Sequence, residues 1–308
     1  MSTHSQESRP GGSGFGRCAI CDTPLPAAVK VRLPGAHLKA CPACRAWTYF
    51  PRPDPQRQSA LHNDSSYFYH PYFELRRAIT PAQRRRCAWV FARLAGTVDL
   101  AQLRGRRLLD VGCDTGTFLE TAAEQFGVVP VGVDVAEMAV AAARSRGIEA
   151  WHSTIENAPD TLMGLPAITA IDLIEHVSDP ARFLREICRR LEPGGVVYIE
   201  TPNIDSAVYS AGRMLSFVIR GRKPEWMDRL FPAHHVQYFT EASLAGLGRS
   251  CGLELAWLGT RVLPWQDMAA SIEVRVGTAV LQAVDRVARH RLLICAVMRR
   301  PGGAMAVR

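Results

Sequence analysis

Residues 106–120, RRLLDVGCDTGTFLE, hold the pattern that decides the fold of this 308-residue chain. The apolar run before Asp110 predicts a buried strand, and Gly112 and Gly116 predict a tight turn that leads into a helix. Glycine lets the backbone of such a turn come close to a ligand, because it has no Cβ. A ligand-cradling loop would normally have a further glycine where Asp114 stands. Aspartate tolerates left-handed backbone and caps helix N-termini, so the turn remains buildable.

Strand and helix patterns alternate on both sides of this turn. Thr80 and Pro81 predict a helix start, as an N-cap followed by proline. Further strand patterns are VVPVGVD (128–134), IEAWH (148–152), AITAID (167–172) and VVYIE (196–200). Strands that alternate with helices of about 10–15 residues imply an α/β fold with a parallel sheet covered on both faces. Ligands are then expected at the carboxyl ends of the strands, near the first strand-to-helix turn.

The end of the chain has a different pattern. Residues 253–259 and 292–300 fit an antiparallel ending of the sheet. The helix pattern between them places five apolar residues on one face, and we assign that face to the core rather than to a membrane surface. These residues are Val276, Val280, Ala283, Val284 and Val287.

Two close cysteine pairs, CAIC at 18–21 and CPAC at 41–44, precede the α/β region. Their spacing is typical of a zinc ribbon, with unligated or redox-active cysteines as the alternative. Four thiolates complete a closed tetrahedral shell, which suits a structural ion and leaves no open position for catalysis. We therefore predict structural zinc, whose binding would supply the folding energy of so small a module. The predicted ligands are Cys18, Cys21, Cys41 and Cys44.

Composition predicts the domain organisation and the compartment. We expect a disordered tail at 1–16, a zinc ribbon at 17–50, a linker with an aromatic lid segment at 51–79 and the main domain at 80–308. The chain has nine cysteines and no secretion-signal pattern, which favours a cytoplasmic protein. It also has no run of about 20 apolar residues, so we expect no transmembrane segment. The net charge of +8 comes almost wholly from arginine, which fits either codon bias or an anionic partner.

Four motifs in order resemble those of class I S-adenosylmethionine-dependent methyltransferases: LLDVGCDTGTFL, VVPVGVD, DLIEHVSDPARFLREICRRLEPGG and VYIETPN. The resemblance covers roughly residues 80–300. It implies a Rossmann-like sheet, mostly parallel with an antiparallel last strand, that binds S-adenosyl-L-methionine. A ribbon in front and HHVQYFTEASL (234–244) behind are similar to methyltransferases of natural-product and surface-saccharide biosynthesis.

The resemblance implies which residues contact the cofactor. Asp110 would hold the turn and the methionine end, and Asp134, at the end of the second strand, would accept both ribose hydroxyls. The loop lacks the third glycine of G-x-G-x-x-G and a P-loop lysine, so a cofactor without phosphates fits better than NAD. Family members often have an acid at the position of Thr154 to bind adenine, where a hydroxyl can still form a hydrogen bond. Further implied positions are Gly112, Asp114, Gly116, Phe118, Val135, Ile155 and Asp172.

Methyl transfer from a sulfonium is an in-line displacement that holds the nucleophile about 3–3.5 Å from the methyl group. A general base helps a hydroxyl or amine acceptor, and histidine titrates near neutral pH. Our candidates lie after the fourth and fifth strands: Glu175, His176, His234, His235 and Tyr238. For Glu175 and His176 the alternative is a structural hydrogen bond that closes a turn.

Residues 201–233 are longer than a simple link and mix apolar residues with Arg213, Arg220, Arg222 and Lys223. Such a segment could form a cap that contacts an anionic acceptor. The alternative is an ordinary helical insertion with a solvated basic face. We predict an enzyme that methylates a small-molecule, saccharide or lipid-linked acceptor in a biosynthetic pathway, on oxygen. One alternative is an RNA methyltransferase whose ribbon grips phosphates, although the ribbon has few basic residues. The other alternative is a non-catalytic binding protein that is stabilised by zinc.

Overall fold

The computed structural model describes residues 16–33, 35–52, 78–218, 230–263, 272–288 and 291–302. Nearly all of the predicted tail and the whole aromatic segment at 67–77 lie outside the described residues. The same holds for three cations of the predicted cap, Arg220, Arg222 and Lys223.

The N-terminal region has three short strands, β1 (Val31–Leu33), β2 (Ala36–Ala40) and β3 (Trp47–Phe50), which pair antiparallel in that order. The main domain follows with alternating helices and strands. These are α1 (Pro81–Leu94), β4 (Arg107–Val111), α2 (Thr117–Phe126), β5 (Val129–Asp134), α3 (Glu137–Ser145), β6 (Glu149–His152), β7 (Leu165–Ile171), α4 (Pro180–Arg190) and β8 (Leu191–Pro202). The chain then continues with α5 (Ala207–Val218), β9 (Gln237–Tyr238), α6 (Glu241–Ser250), β10 (Glu254–Arg261), α7 (Ile272–Ala288) and β11 (Leu293–Arg299).

Seven of these strands form one sheet in the order β10-β11-β8-β7-β4-β5-β6. The pairs from β8 to β6 are parallel, and β11 runs antiparallel to both of its neighbours. The predicted α/β fold with an antiparallel last strand is therefore confirmed. Buried apolar residues on the central strands, such as Leu109, Ile168 and Val197, form the core between sheet and helices.

Local sequence signals set the helix boundaries. The Thr80 side chain accepts a hydrogen bond from the Gln83 amide, and Pro81 takes the first helical position of α1, as predicted. The Asp179 side chain accepts one from the Arg182 amide at the start of α4, again followed by proline. Both caps satisfy amides that have no partner within the helix.

The assignment of the α7 apolar face to the core was wrong. Val276, Val280 and Val284 are 53%, 61% and 54% exposed, whereas Gln282 and Asp285 are buried. The polar side is buried because Asp285 accepts a hydrogen bond from the amide of Ala207, at the start of α5. Asp285, on the buried face of α7, thus satisfies the first amide of α5. In the described parts of the chain, no helix is both long and apolar enough to cross a membrane.

The N-terminal sheet of β1, β2 and β3 also includes β9, a strand from much later in the chain. β9 pairs antiparallel with β3, through Trp47 with Tyr238 and Thr48 with Gln237. The buried hydroxyl of Thr48 also donates to the side-chain oxygen of Gln237, at 3.1 Å. The segment that carries His234 and His235 therefore leads directly into a strand held by the ribbon.

Candidate active site at the carboxyl edge of the sheet

The loop between β4 and α2 lies against the end of β5. The amides of Gly112 and Cys113 both donate to the carbonyl of Val133, at 2.8 and 3.1 Å. Gly112 and Gly116 have φ of +75° and +80°, a region that favours glycine. A Cβ on Gly116 would also lie 2.5 Å from the Ile148 side chain, so this position combines backbone and packing constraints.

Asp134 and Asp114 are joined at the mouth of this loop. One carboxylate oxygen of Asp134 accepts from the amide of Asp114 at 2.9 Å, and the other accepts from the amide of Ala136 at 2.8 Å. Asp114 has φ of +48°, a left-handed conformation that aspartate tolerates. Burial, and to a lesser extent the charge of Asp114, raises the pKa of Asp134 to about 6. The two amides fix the Asp134 carboxylate and leave further lone pairs for a ligand.

Asp110 is the last residue but one of β4, and its side chain is buried. It accepts a hydrogen bond from the hydroxyl of Thr169 on the neighbouring strand β7, at 2.6 Å. Burial raises the pKa of Asp110 to about 8, against the opposing effects of Thr169 and Arg86. A cationic ligand group nearby would favour the charged carboxylate.

The other predicted cofactor positions surround the same edge. Phe118 is buried in the first turn of α2, and Val135 follows β5 directly. Thr154 is exposed after β6, and the adjacent Ile155 is buried. Asp172 follows β7 with φ of +53°. The structure thus brings the predicted set to the carboxyl ends of β4, β5, β6 and β7.

A charge cluster around the buried Glu200, which also includes Asp172 of this set, was missed by the sequence analysis. Arg86 of α1 donates to Asp172 at 2.5 Å and to Glu200 at 2.6 Å, and Arg261 donates to Glu200 at 2.8 Å. Burial alone would raise the pKa of Glu200, but the two guanidinium groups lower it to about 2. The cluster ties α1 to the loop after β7 and to the end of β8. In the sequence, the one feature that pointed to this cluster was Glu200, the last residue of VVYIE.

Three of the predicted catalytic candidates form a three-histidine group: His176, His234 and His235. The His176 and His234 rings stack with centroids 5.1 Å apart, and the His235 ring meets His176 edge-on at 4.7 Å. Burial, with the nearby His234, lowers the pKa of His235 well below its ordinary value, so this imidazole is neutral near pH 7. The group offers imidazole nitrogens to an acceptor at the same edge of the sheet.

Glu175 and Tyr238 lie next to the three-histidine group but are more deeply buried. Glu175 accepts a hydrogen bond from the Thr201 hydroxyl at 2.8 Å, and burial, with the charge of Asp172, raises its pKa to about 8. Tyr238 packs against Tyr209 and Phe231, and burial raises its pKa well above its ordinary value. Neither group is therefore suited to act as an ionised base at neutral pH.

The four predicted zinc ligands also converge. The Sγ atoms of Cys18 and Cys44 lie 3.6 Å apart and those of Cys21 and Cys41 lie 3.4 Å apart, with all four within 4.8 Å. A tetrahedral zinc site with Zn–S distances of about 2.3 Å has sulfur–sulfur edges of about 3.8 Å. The donor set and its geometry therefore fit a structural zinc ion.

Comparison with known proteins agrees with this geometry. The sequence profile of a family described as a methyltransferase domain matches residues 81–256. Ubiquinone biosynthesis O-methyltransferase of Xanthomonas oryzae pv. oryzae is 32% identical over 195 residues, which cover 60% of this chain and 75% of the relative. The enzyme of the same name from Xylella fastidiosa is 33% identical over 178 residues, 54% of this chain and 69% of the relative.

Solved structures show the same fold. The plantazolicin methyltransferase BpumL, solved with a triazolic desmethylPZN analog and SAH, superposes with a TM-score of 0.52 at 19% identity. The match covers 80% of this chain and 98% of BpumL.

Fold, motifs and relatives together define an S-adenosylmethionine-dependent methyltransferase. The chain belongs to the methyltransferase-domain family, whose profile spans more than half of its length.

Proposed function

We propose that this enzyme transfers the methyl group of S-adenosylmethionine to a hydroxyl oxygen of a small-molecule acceptor in a biosynthetic pathway. The observation that carries the proposal is the three-histidine group at the same sheet edge as Asp110 and Asp134. The names of the curated relatives, which are O-methyltransferases, support oxygen as the methylated atom. Saccharide and lipid-linked molecules remain acceptor classes within this proposal.

The residues present fit the cofactor. Asp134, fixed by two backbone amides, would accept the ribose hydroxyls. Asp110 would face the cationic methionine end, where a positive charge stabilises its ionised form. Gly112 and Gly116 would allow close approach of the backbone, and the remaining implied positions would line the adenosine. The cofactor supplies an electrophilic methyl group when bound.

The three-histidine group would bind the acceptor hydroxyl and promote loss of its proton. A hydroxyl needs such help because its neutral form is a weak nucleophile. His235 is neutral, and His176 is oriented by a hydrogen bond between its Nδ1 and the carbonyl of His234, at 3.1 Å. The neutral His235 imidazole can therefore position an acceptor oxygen without being charged itself.

We also propose that residues 17–50 form a ribbon held by structural zinc on Cys18, Cys21, Cys41 and Cys44, joined through 51–79 to a methyltransferase domain at 80–308. The sulfur geometry supports this. Since a closed shell of four thiolates has no open position, the role of the ribbon is structural: its strand β3 supports β9.

Transfer of a labelled methyl group to phenolic, saccharide, peptide and RNA acceptors tests the proposal. We expect transfer to a small hydroxyl acceptor, a loss of kcat of at least about 100-fold in His176→Ala, and unchanged cofactor affinity. The control is His37→Ala, a histidine of β2 outside the three-histidine group. Transfer to RNA alone would favour the RNA alternative, and a chain that binds no cofactor would favour the non-catalytic one.

A further inference from the structure

The three-histidine group has a geometry beyond what acceptor binding requires. Each of His176, His234 and His235 offers one ring nitrogen, and these three nitrogens lie within 4.8 Å of one another. Imidazole is the ligand that zinc, copper, iron and nickel ions share, and three histidines with an open fourth position are the donor set of catalytic zinc sites.

The tautomer of His176 follows from its surroundings. Its Nδ1 lies 3.1 Å from the carbonyl oxygen of His234, and a carbonyl only accepts hydrogen bonds. Nδ1 therefore carries the proton, and Nε2 of the neutral ring carries the lone pair. Metal-binding histidines usually donate their second ring N–H to a carbonyl or carboxylate in this manner, which fixes the ring for the ion.

His235 provides a second, independent observation. Its Nδ1 is buried and has no hydrogen-bond partner among the described residues. Buried polar atoms without a partner are rare, because their desolvation is not compensated. Coordination of a cation by the three-histidine group would give this buried nitrogen a partner.

The backbone around the group is fixed from several directions. The amide of His235 donates to the carbonyl of Pro232 at 3.0 Å, and the amide of Val236 donates to the carbonyl of Glu175 at 2.9 Å. The amide of Tyr49, in the ribbon, donates to the carbonyl of Val236 at 3.1 Å. The two chain segments that carry the histidines are thus tied to each other and to β3.

We propose that His176, His234 and His235 bind a divalent transition-metal ion such as Zn²⁺, separate from the ribbon zinc, with an open position for the acceptor oxygen. The catalytic use of the ion rests on the proposed function, whereas its binding does not. The acceptor O–H bond breaks with its proton passing to water, and the oxygen–methyl bond forms as the sulfur–methyl bond of the cofactor breaks. S-adenosylhomocysteine and the methyl ether leave, and the ion is unchanged.

Metal content of the full chain tests the site without cofactor or acceptor. After incubation with Zn²⁺ and removal of free ions, we expect two zinc ions per wild-type chain and one in His176→Ala/His234→Ala. His152→Ala, on β6, is the matched control and should retain two. One ion in the wild type, or two in the double variant, would overturn the proposal.

Cobalt substitution gives a second measurement that needs no variant. Co²⁺ in the ribbon would show thiolate charge-transfer absorption, whereas Co²⁺ bound by imidazoles would not. We expect the wild-type chain to bind two equivalents, one of them without a thiolate band. If every bound equivalent shows thiolate absorption, the three-histidine site is excluded whether or not methyl transfer is intact, so this failure is distinct from failure of the proposed function.

Discussion

Asp110 and Asp134 lie at the carboxyl edge of the sheet, in the last residues of the neighbouring strands β4 and β5. Carboxylates in the last residues of a buried strand are placed at the carboxyl edge by the strand itself, so the local pattern determines their position. Arg86 is the last of three consecutive arginines in α1, and only packing of α1 on the sheet decides that it reaches Asp172 and Glu200. The pairing of Thr169 with Asp110 across two strands likewise depends on register.

Asp114 is the residue at this scale whose effect can be measured most simply. Its charge contributes to the raised pKa of Asp134, while its amide, which the side chain does not alter, holds the Asp134 carboxylate. We expect Asp114→Asn to lower the pKa of Asp134. The pH below which cofactor affinity falls should then decrease by a fraction of a pH unit, because binding requires the ionised Asp134.

Titration of cofactor affinity between pH 5 and 8 checks this prediction. Asp114→Gly removes the same charge and also suits the left-handed backbone, so it should shift the profile in the same direction. An acid limb that is identical in wild type and both variants would show that Asp114 does not act through Asp134. Weaker binding at every pH would instead indicate contact between the Asp114 carboxylate and the cofactor.

At the scale of elements, the strand and helix alternation was predictable because each element has its own local signal. Apolar runs gave the strands, and Thr80-Pro81 gave the start of a helix. The β3–β9 pairing was not predictable, since it is two residue pairs long and joins segments far apart in sequence. The inward face of α7 was also missed, because the apolar pattern does not show that Asp285 accepts a hydrogen bond from the amide of Ala207.

A comparison of Gly116 with Gly147 separates two constraints at the start of α2, the left-handed backbone and the packing against Ile148. Both have positive φ, of +80° and +77°, but a Cβ would contact Ile148 at 2.5 Å in the first case and nothing within 4 Å in the second. Gly147→Ala should cost about 1–3 kcal/mol of unfolding free energy from backbone strain alone. Gly116→Ala should cost more, and should also weaken cofactor binding because the loop must move.

Denaturant unfolding and cofactor titration of both variants give the comparison. Equal losses of unfolding free energy would mean that packing against Ile148 adds nothing to the conformational constraint. Unchanged cofactor affinity in Gly116→Ala would show that this turn is not part of the cofactor site.

At the scale of the whole molecule, the ribbon and the candidate active site form one connected structure. The ribbon strand β3 pairs with β9, and the carbonyl of Cys44 lies 3.4 Å from the donating hydroxyl of Thr240, which caps α6. Sequence analysis predicted a ribbon and a methyltransferase domain as successive units. It could not predict that the ribbon would hold the segment carrying His234 and His235.

Loss of the ribbon zinc should therefore impair methyl transfer more than cofactor binding. We expect Cys41→Ser to lose the ribbon zinc and to lower kcat at least about tenfold, because β9 and the histidines before it lose their support. Cofactor affinity should change little, since Asp110 and Asp134 lie on β4 and β5. Cys188→Ser, a cysteine outside the cluster, is the control; full kcat in a zinc-depleted ribbon would contradict this coupling.

The central claim is that this chain binds S-adenosylmethionine through the loop after β4 and through Asp134. Calorimetric titration of the full chain with S-adenosylmethionine tests it most directly, with Asp134→Asn and the exposed Asp160→Asn as a matched pair. We expect one cofactor per wild-type chain and wild-type affinity in Asp160→Asn. Affinity should be at least about tenfold weaker in Asp134→Asn, because the NH₂ group of its amide cannot accept a hydrogen bond. No binding by the wild type, or equal affinity in Asp134→Asn, would contradict it.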